Sequence, residues 1–342
     1  MMNRYLTTLF TVAAATIAAL TATIVATPTA AAATSYASDT RGVGPEIKGF
    51  QAAFAYPFPE AAPAGANDWT CRPTAAHPRP VVLVHGTWEG AFSTFARLSP
   101  ALKRAGFCVF TQNYGRGGVA EGGALSVIPG LYGTGPVEDS TEQLAQFVQR
   151  VRKATGASQI DAIGHSQGGV LIRRYLKYKG GADPSDPTHN VVANVVTLGA
   201  TNHGTTLSGS GALAVVLRDA GVNVEPGVTA IAGSAGYEQL VGSSMITDLN
   251  RGGETFAGVD YTVIATRFDQ FSTPYAATFL TAGPGARVNN VLLQDGCPVD
   301  ISGHSVMTYS PRAISVTLRA LGVSTPLVCT FHPWNQDWGL TG

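Results

Sequence analysis

Charge is scarce in this chain. Only 13% of its 342 residues are Asp, Glu, Lys or Arg, and 22 acids balance 22 bases. No cluster of basic residues occurs, so the electrostatic footprint of a nucleic-acid binder is missing and the expected partner is neutral or small. Low charge does not mean disorder here, because 45% of residues are apolar, enough for a sizeable core. Cysteine is sparse too: there are four, and none falls in the C-x-x-C or Cys/His spacings that hold zinc. No internal repeat is visible. The length admits two domains, yet an α/β sheet protein of about 250–300 residues is commonly one, so one domain plus a leader is the simpler reading.

The leader is residues 1–33. Arg4 precedes an apolar Ala/Thr/Ile/Leu run over 9–26, then come Pro28 and small residues, with Ala31 and Ala33 supplying the side chains an A-x-A cleavage site needs. The expectation is a secretory signal cut after Ala33 and a secreted protein; the rival is an uncleaved anchor, since the run approaches spanning length. Outside the cytoplasm the four cysteines are expected to pair. Of three possible pairings, Cys71 with Cys108 and Cys297 with Cys329 asks least of the topology, each bridge contributing about 4 kcal/mol by loop-closure entropy.

Residues 34–78, rich in Ala, Pro and Gly, show no sustained period and read as a surface-hugging lead-in to a catalytic domain over 79–342. From residue 79 the pattern becomes regular. "RPVVLVHG" (79–86) is the short continuous apolar run of a buried parallel strand. A helix with a break at Pro100 follows, then a second strand over 107–115 and a glycine-rich irregular loop over 116–135. "PVEDSTEQLAQFVQRVRKATG" is a helix, with Leu144, Phe147, Val148 and Val151 on one face, acids in its first turn, bases in its last and Gly156 as the stop. The strand "SQIDAI", a turn and the helix "VLIRRYLKYKG" come next. Strands over 191–200, 261–267 and 288–296 follow, a low-charge stretch over 201–240 interrupting them, and a helix with Pro311 in its first turn closes the pattern. Such alternation implies a mostly parallel central sheet with helices on both faces.

The segment "DAIGHSQGGVLIRR" (161–174) places Ser166 between glycines where a strand gives way to a helix. In a parallel sheet the chemistry gathers at the carboxyl ends of the strands. A sharp turn there projects a hydroxyl beyond the sheet, and Gly164 and Gly168 remove side chains that would collide across it. The helix that follows offers free N–H groups to a developing oxyanion, that of Gln167 first. A second donor is expected after the first core strand, in "VHGTWEG", where Gly86 lets the backbone approach and Thr87 supplies the N–H.

A serine hydroxyl needs a base, and the base needs a carboxylate to orient it. In this architecture the chain order is Ser, then acid, then His. Asp269 follows directly on the strand "YTVIATR", and only His304 and His332 lie beyond it. His304, in the loop "CPVDISGHSVMTYSPR" before the last helix, is favoured; His332 is expected on the surface of the tail. Asp295, Asp300 and Asp248 are the rival acids, each with an ordinary turn or helix-end role open to it. His85 and His203 read as structural partners near the site, and His165, next to the serine, falls on the opposite side of its strand.

With these four separated motifs in order, residues 70–325 resemble the secreted bacterial lipases of the α/β-hydrolase superfamily, most of all the class 2 lipases abundant in actinobacteria. The resemblance implies an α/β-hydrolase fold and a serine esterase acting on acylglycerols and other carboxylic esters through Ser166, Asp269 and His304, with Thr87 and Gln167 as backbone donors. No cofactor is expected, and no carboxylate cluster stands out for the structural calcium of some related lipases. A monomer in transient contact with a lipid–water interface is the expected state. The same triad also serves acyl transfer to an alcohol, or wax-ester and polyester hydrolysis. Cutinases, the polyester-cleaving relatives, usually carry Met where this elbow has Gln167. A secreted binding protein on this fold is the reading outside enzymes.

Overall fold

The computed structural model describes residues 36–339, and the expected leader lies outside them. Eight strands are present among the described residues: β1 (Tyr36–Ser38), β2 (Val81–Val84), β3 (Val109–Thr111), β4 (Asn113–Arg116), β5 (Ile160–His165), β6 (Val192–Leu198), β7 (Asp260–Ala265) and β8 (Arg287–Leu292). Six of them form one sheet in the order β3-β2-β5-β6-β7-β8, with every neighbouring pair parallel. This is the α/β-hydrolase arrangement anticipated from the alternation of patterns.

Burial explains why these strands are apolar at successive positions. Every residue of β2 and β5 is buried, and alternate side chains feed two cores. Val82, Val84 and Ala162 pack with Leu144, Val148 and Val151 on one face; Val81, Leu83 and Ile163 pack with Leu98, Leu102 and Val316 on the other. A sheet covered on both sides leaves no polar face along the strand.

The helices are α1 (Phe50–Phe54), α2 (Ala91–Phe95), α3 (Leu98–Arg104), α4 (Val119–Gly122), α5 (Val137–Thr155), α6 (Gln167–Tyr178), α7 (Ser210–Asp219), α8 (Glu225–Ala232), α9 (Ser234–Glu238), α10 (Ser244–Asn250) and α11 (Pro311–Ala320). In α5 the anticipated signals are all in place: Glu138 and Asp139 in the first turn, Arg152 and Lys153 in the last, and Gly156 ending the helix at φ 74°.

Several expectations are corrected. The strand over 107–115 is two strands, because β4 leaves the sheet after Gln112 to pair antiparallel with β1. The break after α2 falls at residues 96–97; Pro100 sits inside the first turn of α3, where an N–H has no helical acceptor to lose. Residues 116–135 carry α4 and a 3₁₀ turn over Ala124–Val127. The lead-in segment does more than hug the surface, since its Ala53 and Ala61 form a small core with Phe92, Ala96 and Tyr309. Both expected disulfides are formed, Cys71–Cys108 and Cys297–Cys329. Among the described residues no helix is long and apolar enough to cross a membrane.

Candidate active site

Strand β5 ends at His165 and α6 begins at Gln167, so Ser166 alone makes the turn, at φ 52° and ψ −123°. Non-glycine residues avoid positive φ, and they hold it where surrounding structure imposes it. Close approach accounts for the flanking glycines. A Cβ on Gly164 would lie 2.5 Å from backbone atoms of residues 168 and 169, and one on Gly168 would collide with the Val84 carbonyl oxygen of β2. The Ser166 N–H donates to the Leu198 carbonyl at 2.9 Å, fastening the turn to the end of β6.

The candidate acid Asp269 and the candidate base His304 stand in the loops after β7 and β8. Asp269 Oδ1 accepts the N–H groups of Phe271 and Ser272 at 2.8 and 2.7 Å, and its Oδ2 lies 2.9 Å from His304 Nδ1. Those two side chains are 1% and 5% exposed. A carboxylate beside Nδ1 fixes the ring proton there and leaves Nε2 as the basic nitrogen. Ser166 and His304 line one cleft, together with Thr87, Trp88, Phe271 and Gln239 among others.

The two anticipated N–H donors are free: neither Thr87 nor Gln167 has an acceptor for its backbone N–H among the described residues. His85 orients the first of them. Its Nδ1–H donates to the Gly86 carbonyl at 2.8 Å and its Nε2 accepts the Tyr114 N–H at 3.2 Å. Burial pushes this imidazole down to about 4, so the ring is neutral, with one donor and one acceptor. The Gly86 carbonyl and the Thr87 N–H belong to one trans peptide and point opposite ways. Holding the carbonyl back therefore turns the N–H outward.

Behind Ser166 lies a pairing whose acid the sequence reading missed. Burial opposes ionisation of Glu89, but the adjacent His165 outweighs it and holds that carboxyl down to about 2; the same carboxylate raises His165 against its own burial. Glu89 sits in the donor loop itself, "VHGTWEG", and its position there was the available signal. His203 is structural, as anticipated, set between the Ala277 carbonyl and the Glu254 carboxylate.

The three rival acids have other work. Asp248 accepts from the Tyr178 hydroxyl at 2.6 Å, Asp295 pairs with Arg267, and Asp300 accepts from the N–H of Ser302 and the hydroxyl of Ser310. His332 is corrected: it is sealed from solvent, with Nδ1 2.8 Å from the Ser302 hydroxyl and Nε2 3.2 Å from Asp337. Its tail grips the base loop, since the Ile301 N–H donates to the His332 carbonyl and the Gly303 N–H to the Trp334 carbonyl at 2.7 Å. The indole N–H of Trp334 reaches the carbonyl of Phe268, next to Asp269. Among the described residues no group of three or more His, Cys, Asp or Glu side chains converges as a cation site requires.

Residues 78–283 match the family model described as Lipase (class 2). The chain belongs to that family. The match contains Ser166, Asp269 and both candidate donors, begins only at residue 78 and ends before His304 and the tail. The fold is shared with Aspergillus fumigatus lipase B, at 20% identity and a TM-score of 0.55 over 85% of this chain. Weaker likenesses are to Bacillus licheniformis lipase BlEst2 in mature form (14% identity, TM-score 0.48, over 73% of this chain and 94% of that one) and Legionella pneumophila phospholipase PlaB (17%, 0.38, over 55% of this chain). The chain spans 65% of the length of the Aspergillus enzyme and 39% of PlaB.

Proposed function

We propose that the protein is a secreted serine carboxylic-ester hydrolase, a lipase or esterase of the actinobacterial type, made with a leader removed after residue 33. The observation that carries this reading is the strained Ser166 at the end of β5, facing the same cleft as a His304 whose Nδ1 is engaged by Asp269 at 2.9 Å. In this reading His304 Nε2 takes the hydroxyl proton as Ser166 attacks the ester carbonyl. The N–H groups of Thr87 and Gln167 hold the oxyanion, and losing one such donor typically costs about 3–4 kcal/mol of transition-state stabilisation. The imidazolium returns its proton to the leaving alcohol, and water clears the acyl-enzyme by the same route.

Two disulfides suit an oxidising compartment. Exposed apolar side chains on α4, α7 and the turns beside them, among them Val119, Val127, Leu213 and Val216, suit transient contact with a lipid–water interface by a monomer. The test is hydrolysis of p-nitrophenyl esters and tributyrin by the secreted chain and by Ser166→Ala. The reading expects hydrolysis that falls to background in the variant. Absence of hydrolysis across the panel, or a variant as active as the parent, would contradict it.

A further inference from the structure

Helix α1 lies outside the segment matched by the family, yet it reaches the cleft. Phe50 and Phe54, one helical turn apart with ring centroids 5.7 Å from each other, both line the cavity that holds Ser166 and His304. Trp88 and Phe271 line it as well. The core holds one side of this helix, through buried Ala53 and through Phe50 against the Tyr309 ring at 6.0 Å, but Phe54 is 45% exposed and gains little from it. The C-terminal tail fastens the other side. The Gln51 N–H donates to the Asp337 carbonyl at 3.0 Å, the Asp337 N–H donates to Gln51 Oε1 at 2.5 Å, and Gln51 Nε2 donates to the Asn335 carbonyl. Gly49, just before the helix, packs so close that a Cβ there would meet the backbone of residues 337–339. The tail is itself moored by Cys297–Cys329 and by buried His332.

We infer that Phe50 and Phe54 form the wall that receives a hydrocarbon chain of the ester substrate, and that tail residues 335–337, acting through Gln51, hold this wall against the cleft. The inference rests on the hydrolase reading above. An aromatic pair beside a nucleophile, one ring partly buried and the other half-exposed, gains when an alkyl chain covers it, and the chain gains equally by leaving water. Both the acyl and the alcohol part of an ester can supply such a chain.

The experiment compares kcat/KM for dissolved substrates in two arms: p-nitrophenyl acetate against hexanoate, and ethyl acetate against hexyl acetate. The chains compared are the parent, Phe50→Ala/Phe54→Ala and Gln51→Ala. The expected result is a fall of at least about tenfold in the long-to-short ratio of one arm for the double variant, expressed mainly in KM, and a smaller fall in the same arm for Gln51→Ala. The arm that changes identifies the chain. If the double variant does not unfold cooperatively, Phe54→Ala, altering a half-exposed side chain, decides on the same ratio. Unchanged ratios in both arms, with Ser166→Ala inactive, would overturn the inference and leave the hydrolase reading standing. A parent chain that hydrolyses none of the esters brings down both.

Discussion

His165 Nδ1 lies 2.8 Å from the Glu89 carboxylate, and Nε2 of the same ring lies 3.1 Å from the carbonyl of His304. Both ring nitrogens face acceptors, so both carry protons and the ring is an imidazolium. The residue next to Ser166 thereby ties the loop of the N–H donor to the loop of the base.

Replacing Glu89 by Gln strands that buried charge. The expected cost is about 3–5 kcal/mol, read from denaturant midpoints, with a fall in kcat as the His304 carbonyl loses its anchor. The pH dependence follows from the two shifts. Glu89, lowered from 4.5 to about 2, contributes stability that is present above its unfolded value and lost as pH falls towards 2. His165, raised from 6.5, contributes stability that is full below that value and lost as pH rises through its folded pKa. The gap between parent and variant should be widest between pH 4.5 and 6.5. A gap that does not vary with pH would argue against an ionised pair.

Asp269→Asn should keep the fold and lose the orientation of the base. A drop in kcat of the order of 10³–10⁴-fold is expected, with a melting temperature close to that of the parent. Steady-state kinetics on a p-nitrophenyl ester, beside a thermal melt, checks it.

The bridge between Cys297 and Cys329, 32 residues apart, starts the tail that grips Ile301 and Gly303. Replacing both cysteines by serine should cost about 4 kcal/mol by loop-closure entropy. Because the slackened tail serves the base loop before it serves the sheet, activity should fail at a lower temperature than near-ultraviolet dichroism. Coincident midpoints would show that the bridge acts on global stability alone.

Burial raises Glu238 to about 7, although its carboxylate accepts the Val137 N–H at 2.8 Å. The folded chain therefore binds this proton more tightly than the unfolded chain does, and stability declines as pH climbs from about 4.5 to 7. Glu238→Gln removes that decline. Melts near pH 5 and pH 8 should show a shallower slope for the variant and a gain of roughly 1–2 kcal/mol at the higher pH, after allowance for partial exposure.

The sheet was legible because β2 and β5 are buried on both faces, which leaves an apolar run that no surface strand would carry. The elbow was legible because steric closeness demands glycine at 164 and 168, and such demands write themselves as residue identity. Asp269 and His304 could be reached from chain order and strand ends alone. What stayed hidden depends on contacts across long sequence separations. His332 is sealed by Ser302, 30 residues before it in the chain, and nothing local announces that partner. Phe50 looked like part of an unpatterned lead-in, and its place beside the cleft is set by a tail almost three hundred residues away. Glu89 gave one clue, its place in the donor loop, but its partner His165 is 76 residues further on, at the end of β5.

Covalent labelling tests the central claim most directly. The purified chain is treated with a fluorophosphonate and the adduct located by mass spectrometry, with His304→Ala run in parallel. One phosphonyl group on Ser166, formed far more slowly in the variant, is the predicted result. A folded protein that takes no label, or takes it on another residue, would contradict the account.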